Sequence, residues 1–235
     1  MKVKRKKEQR KKMNLNKHLE FFNPLEIEDD IHIIGLGAIG SNLALMLTRL
    51  GCNNIHLYDF DTVEEINLAN QNYYEDQVKQ DKTLATLQNM LQINSKLTFE
   101  LHNKGWDAET CPLSGYVFLC LDNIDTRRTV VNACKNNRYV KAILDFRMGL
   151  DDAQHYMAAM DNPEAIERLL KTMDFTHEEA KAALPVSACG TSLSVLPTIW
   201  TVISAGVANF INYCKTNEYK HTVLVNPFAG FFDTF

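Results

Sequence analysis

No two of the six cysteines, Cys52, Cys111, Cys120, Cys134, Cys189 and Cys214, stand in a CxxC pair, so a closed structural zinc site is not expected. No signal-peptide pattern opens the chain: its basic N-terminus runs into polar sequence rather than an apolar stretch. Cys52, Cys120, Cys134 and Cys214 lie in apolar or helical-looking segments, where a thiol behaves as a small buried hydrophobe. That usage fits a reducing compartment, and the expectation is a cytoplasmic protein. Only 193–211 approaches the length of a membrane span. It contains Ser194, Pro197, Thr198, Thr201, Ser204 and Asn209, so it reads as a buried helix. Internal repeats are absent, and so is low-complexity sequence beyond the N-terminus.

What is present is an ordinary globular composition over 235 residues, 46% hydrophobic and 23% charged, enough for one large α/β domain. The charge is uneven. Residues 1–12 hold eight Lys or Arg against one Glu, and the net charge of −4 leaves −11 on the rest. Residues 1–18 read as a basic arm, either a solvated tail or a contact for nucleic acid or another anionic partner. Residues 19–235 read as a single domain.

The β-branched run Ile31 to Ile34 is typical of a buried parallel strand. Gly35-Leu36-Gly37-Ala38-Ile39-Gly40 follows, then a helix to Leu50 with apolar positions 43, 46, 47 and 50, stopped by Gly51. Further strands are expected over 54–58, 97–101, 116–121, 140–145 and 222–225, with another around 152–159. Helices are expected over 82–94 (Leu84, Leu87 and Leu91 inward, with Met90 a further candidate), 123–137, 163–173, 177–183 and from about 193 to 217. Residues 185–192 read as a loop, and Phe228, Phe231, Phe232 and Phe235 as an aromatic tail. This alternation predicts a Rossmann-like open, mostly parallel sheet with helices on both faces and a C-terminal helix and strand extension.

Gly35, Gly37 and Gly40 match G-x-G-x-x-G between a strand and a helix. The first glycine allows the tight turn, the second lets backbone approach a phosphate, and the third permits close packing. The helix N-terminus beyond offers N–H groups and a positive dipole end to an anion. Asp59 stands 19 residues after Gly40, where an acidic side chain holds ribose hydroxyls. To this point NAD and ATP fit equally.

Downstream come Asp59-Phe60-Asp61-Thr62-Val63, then Asn67-Leu68-Ala69-Asn70-Gln71, then Lys82, then Cys120-Leu121-Asp122-Asn123. These ordered motifs resemble D-x-D-x-V, N-L-x-R-Q, a helical lysine and C-x-D-N of the ThiF/MoeB/HesA superfamily, relatives of ubiquitin-activating enzymes. The resemblance spans about residues 25–217. It implies an ATP-dependent adenylyltransferase that activates the C-terminal carboxylate of a ubiquitin-like or sulfur-carrier protein, with ATP and Mg²⁺ and commonly as a homodimer. It further implies that Lys82 stabilises charge on the phosphates, Asp122 binds Mg²⁺, Asp59 holds the ribose and Asn67 contacts the phosphates. Gly35, Gly37, Ala38, Gly40, Asp61, Asn70, Asn123 and Arg127 complete the expected ATP-binding set. On residue type alone, Asp122 also suits a helix N-cap.

The sequence departs from that pattern at three points. Asn70 stands where the arginine of N-L-x-R-Q is expected, leaving Arg127, Arg128 and Arg147 as candidates to compensate. The zinc-binding CxxC pairs of many relatives are missing. The N-terminal arginine motif by which one subunit completes its partner's site is not visible; Arg10, Lys11, Lys12 and Lys17 are the local cations. Cys189, in a loop ahead of a helix, is a candidate thiolate nucleophile for thiol transfer, and Cys111 beside Pro112 a weaker one. The stretch from Cys189 through Leu196-Pro197-Thr198 resembles the activating enzymes for the Ufm modifier, in which a catalytic cysteine lies shortly before a Leu-Pro-Thr helix start, a few residues out of register with this chain. Other readings remain open: a degenerate module that binds ATP or a partner without turnover, adenylation of a small molecule or tRNA base (made less remote by the basic arm), and an NAD-dependent oxidoreductase. No membrane partner is expected.

Overall fold

The computed structural model describes residues 13–183, 186 and 193–235. Eight strands form one sheet: β1 (Ile31–Ile34), β2 (Ile55–Tyr58), β3 (Phe99–His102), β4 (Gly115–Leu119), β5 (Val140–Met148), β6 (Ala153–Ala159), β7 (Thr222–Asn226) and β8 (Phe231–Thr234). Their order is β3-β2-β1-β4-β5-β6-β7-β8. The first five are mutually parallel, and β6, β7 and β8 extend the sheet in antiparallel register. The expected Rossmann-like, mostly parallel sheet is therefore present.

The helices follow the apolar periodicity. In α1 (Ala38–Leu50), Leu43, Ala44 and Leu47 are fully buried, and Gly51 closes the helix in the left-handed conformation at φ 89°. With α2 (Lys82–Ile93) and the long α6 (Leu196–Thr216), it covers one face of the sheet, over Ile31, Ile33, Leu57, Phe118 and Phe146. Helices α3 (Ile124–Cys134) and α4 (Pro163–Lys171) cover Val117, Leu119 and Ile143 on the other face, with α5 (His177–Ala183) against α3. Among the described residues, no helix is long and apolar enough to cross a membrane. Cys52, Cys120 and Cys134 are buried, and burial raises the Cys52 and Cys134 thiols to about 12, so they are inert hydrophobes.

Two expectations are corrected. Leu84 is not inward but 41% exposed; Met90, one turn and a half along, takes the core position with Leu87. The aromatic tail is a hairpin strand: β8 pairs with β7 after a turn at Gly230, leaving Phe231 and Phe232 exposed. Part of the segment 1–18 packs on the domain. Leu15 is buried against Gly51, and His18 Nε2 lies 2.9 Å from the Leu50 carbonyl oxygen, so this segment closes the C-terminal end of α1.

One buried histidine gives the fold an acid-sensitive point. His155 on β6 is fully buried beneath Gly206, beside Phe146, and Asn209 donates to its Nε2 at 3.2 Å. Burial lowers its pKa to about 4, opposed in part by Asp145. Below the ordinary value of 6.5 the unfolded chain gains a proton that the folded chain refuses. This stability is present above pH 6.5 and lost as pH falls toward 4. At about 1.4 kcal/mol per unit the loss is on the order of 3 kcal/mol. Urea midpoints measured between these two limits should fall with pH in the natural chain, and less steeply in His155→Phe.

Candidate functional site

The site lies where the strand order reverses. β1 and β4 are parallel neighbours, yet α1 leaves β1 toward one face and α3 leaves β4 toward the other, opening a crevice at their C-terminal ends. The glycine turn lies across it. Gly35 has φ 92°, and a Cβ there would approach the Cys120 carbonyl at 2.9 Å. At Gly40 a Cβ would sit 1.9 Å from the Gly35 carbonyl oxygen. Gly37, at the start of α1, is the opposite case: a Cβ there would meet nothing within 4 Å among the described residues. No side chain caps α1. A bare helix N-terminus is suited to an anionic group.

Asp59, following β2, holds this turn in shape. Its Oδ2 accepts from the Leu36 N–H at 2.7 Å and its Oδ1 from the Asp61 N–H at 2.8 Å. Burial raises the Asp59 pKa, while those two N–H groups and Lys82 pull it back. Each carboxylate oxygen keeps a second lone pair for a ligand hydroxyl. Lys82, the first residue of α2, is 7% exposed; its Nζ donates to Asp61 Oδ2 at 2.9 Å and its N–H to the Asp61 carbonyl at 3.0 Å. The sequence-selected Asp59, Asp61 and Lys82 are thus one linked set beside the turn.

The segment 65–73 braces the turn through residues that the motif reading did not single out. The Tyr73 hydroxyl donates to the Leu36 carbonyl at 2.7 Å, and Ser41 Oγ bridges the Gly37 carbonyl and the Asn72 N–H at 2.7 and 3.0 Å. Asn42 donates to the Asn70 carbonyl at 3.2 Å. Ser41 and Asn42 are buried polar residues in an otherwise apolar first turn, and that anomaly was the available signal. Asn67 Oδ1 accepts from the Glu64 N–H at 2.9 Å, closing a short 3₁₀ turn, Glu65–Ala69. Asn70 Nδ2 donates to Ser194 Oγ at 2.5 Å, tying this segment to the chain entering α6.

After β4, Asn123 and not Asp122 caps α3: its Oδ1 accepts from the Thr126 N–H at 3.0 Å. Asp122 is exposed, and its carboxylate has no hydrogen-bond partner among the described residues. Arg127, expected in the ATP-binding set, is engaged within the protein. Its guanidinium is buried and bonds Asp145 and the carbonyls of Leu119 and Leu121. The other candidates to replace the missing arginine are also committed: Arg128 to Asp125 and the carbonyls of Met173 and Phe175, and Arg147 to Asp145 and Thr172. Asp125 and Asp145 stand three and two residues from Arg128 and Arg147, but the carbonyls of Met173, Phe175 and Thr172 are remote in the chain and could not be read from the sequence. Cys189 lies outside the described residues. A groove of about 1010 Å³ lies at the opposite end of the sheet, lined by Tyr116, Val140 and Lys141, and contains none of these groups.

The sequence pattern of the ThiF family matches residues 27–220, which takes in every strand of the parallel sheet, the glycine turn and α6. The chain belongs to the ThiF family. Within it, the chain is 34% identical over 119 residues to ubiquitin-like modifier-activating enzyme 5 of Dictyostelium discoideum, covering 43% of this chain and 31% of that protein. The Arabidopsis thaliana protein of the same name is 32% identical over 131 residues, covering 47% of this chain and 30% of its own length. This ThiF-family chain therefore spans about three tenths of the length of these curated relatives. Among solved structures, E. coli MccB with ATP superposes with a TM-score of 0.71 at 16% identity, over 89% of this chain and 64% of that one. PaaA superposes with a TM-score of 0.67 at 14% identity, over 99% and 77%. At such identities the likeness is one of fold.

Proposed function

We propose that this chain binds ATP at the glycine turn and adenylates the C-terminal carboxylate of a ubiquitin-like, sulfur-carrier or peptide substrate. The observation that carries this reading is the hydrogen-bonded set of Asp59, Asp61 and Lys82 beside the glycine turn in a ThiF-family domain. The similar proteins point the same way: two are named as activators of ubiquitin-like modifiers, and MccB has been solved with ATP and with MccA.

In this reading the uncapped end of α1 receives phosphate oxygens over Gly37, and Asp59 accepts from the ribose hydroxyls with its remaining lone pairs. The substrate carboxylate attacks the α-phosphorus and pyrophosphate leaves. Charge grows on the phosphoryl oxygens, and Lys82 Nζ, held beside them by Asp61, stabilises it. The exposed, uncommitted carboxylate of Asp122 fits a hard divalent cation, and Mg²⁺ held there would supply Lewis-acid neutralisation of the phosphates. Homodimerisation, a cytoplasmic location and onward transfer to the Cys189 thiol belong to the same proposal. The test is Mg²⁺-dependent exchange of labelled pyrophosphate into ATP with candidate carriers ending in Gly-Gly. ATP binding with no exchange for any carrier would overturn the catalytic part.

One observation favours a second reading, an ATP-binding module without turnover. Asn70 occupies the arginine position of the motif and is bound to Ser194, while Arg127, Arg128 and Arg147 are all engaged elsewhere. Asn70→Arg separates the two. If the natural chain turns over, it exchanges pyrophosphate and the variant raises the rate by about tenfold or less, the value of roughly one charged contact. Exchange that appears only in the variant would establish the binding-only reading.

A further inference from the structure

A second set of groups lies on the sheet face opposite α1 and α2, at the β3 edge. His32, His56 and Glu100 form one register row across β1, β2 and β3; Tyr58 and His102 form the row two residues on, on the same face. The rings are layered, with centroids 4.5 Å apart for His32–His56, 4.1 Å for Tyr58–His102 and 5.8 Å for His56–His102. The β3–β4 connection forms no helix, so this corner of the sheet stays open and the Glu100 side chain is 62% exposed.

Three side chains converge there, and one ligand atom from each lies within 4.8 Å of the other two. Glu100 Oε2 lies 3.5 Å from His56 Nδ1, and its Oε1 lies 3.7 Å from His102 Nε2. His102 Nε2 is buried and has no hydrogen-bond partner among the described residues. The two separations are long for hydrogen bonds. They are close to the spacing of donors around a tetrahedral ion, about 3.3 Å for bonds of 2.0–2.1 Å. Behind His56, Asp30 Oδ1 stands 3.6 Å from Nε2, on the side of the ring away from Glu100, as carboxylates stand behind metal-bound imidazoles. His102 Nδ1 faces Cys111 Sγ at 3.7 Å. His32 is no ligand, since its Nδ1 meets the Tyr58 hydroxyl at 2.9 Å and its Nε2 accepts from the Ser114 N–H at 3.3 Å.

We propose that His56 Nδ1, His102 Nε2 and the Glu100 carboxylate form a three-ligand site for a divalent transition metal, with its remaining position open to solvent. Two imidazoles and one carboxylate suit Zn²⁺, Co²⁺, Ni²⁺ or Cu²⁺ and not Mg²⁺ or Ca²⁺. The site shares no side chain with the nucleotide crevice and meets it at the backbone alone, where the Asp59 N–H donates to the His102 carbonyl at 3.3 Å.

Co²⁺ titration of the full chain tests this directly, read by visible absorption and by melting temperature. The expected result is one ion per chain with the strong d–d bands of a four- or five-coordinate site, and a melting temperature that rises with free Co²⁺. Glu100→Gln, on an exposed edge strand, should melt as the natural chain without metal and bind Co²⁺ at least about tenfold more weakly; His56→Gln should do the same. Cys111→Ser should retain the bands, because the thiol faces the far nitrogen of His102. Absence of a stoichiometric ion, or affinity unchanged in Glu100→Gln, would overturn the proposal.

Discussion

Lys82→Ala is expected to slow pyrophosphate exchange by about 10²–10³-fold while leaving the fold intact. Lys82 is the cation that the chain delivers to the glycine turn from the first turn of α2, where its own N–H is fixed by the Asp61 carbonyl and its Nζ by the Asp61 carboxylate. A donor aimed at developing phosphoryl charge is worth about 2.7–4 kcal/mol in the transition state, which gives that factor. The stability cost is small, because the Asp61 side chain is 52% exposed and water replaces the lost partner, within about 1 kcal/mol. Arginine is not a conservative replacement, since its planar fork cannot reproduce the single point donor. Exchange kinetics and thermal melting on the same preparation check both parts. Natural exchange by Lys82→Ala would remove this residue from the proposed chemistry.

The second large effect is on stability. Asp145→Ala should cost about 3–5 kcal/mol, a large share of a typical domain's 5–15. Asp145, on β5, is fully buried between two guanidiniums, accepting from Arg127 on one oxygen and from Arg147 Nε at 2.7 Å on the other. Removing it leaves two cations, 7% and 12% exposed, without a counter-charge. The damage should reach the site, because Arg127 also holds the carbonyls of Leu119 and Leu121, on either side of Cys120, whose backbone forms the floor under Gly35. Urea denaturation measures the loss, and a change below about 1 kcal/mol would contradict this account of the triad.

That triad marks the boundary of what the sequence made legible. Strands β1 and β4, helix α1 and its stop at Gly51 could be read locally, because apolar period and glycine punctuation are local properties. The motif residues Asp59, Asp61 and Lys82 came together because each sits at a strand exit or helix start on one edge of the sheet. The bracing of Arg127 by Asp145 was not legible, because that partner lies 18 residues on, in β5, and residue type alone cannot tell a buried brace from a ligand contact. Asn123 displaced Asp122 as the cap because both residue types cap equally well. β8 was missed because Phe231 and Phe232 show no alternation of polar and apolar residues, and its pairing with β7 depends on the turn at Gly230. The docking of Leu15 on Gly51 was hidden by the charge of the neighbouring arm, which dominates any local composition.

Calorimetric titration of ATP and NAD into the natural chain and into Gly37→Ala bears most directly on the central claim. A methyl group at position 37 meets no atom of the described residues within 4 Å, so the variant should melt as the natural chain does. The account predicts Mg²⁺-dependent ATP binding to the natural chain, weakened at least about tenfold (1.4 kcal/mol) in Gly37→Ala, and no heat from NAD. Preferential NAD binding, or ATP binding indifferent to Gly37→Ala, would contradict it.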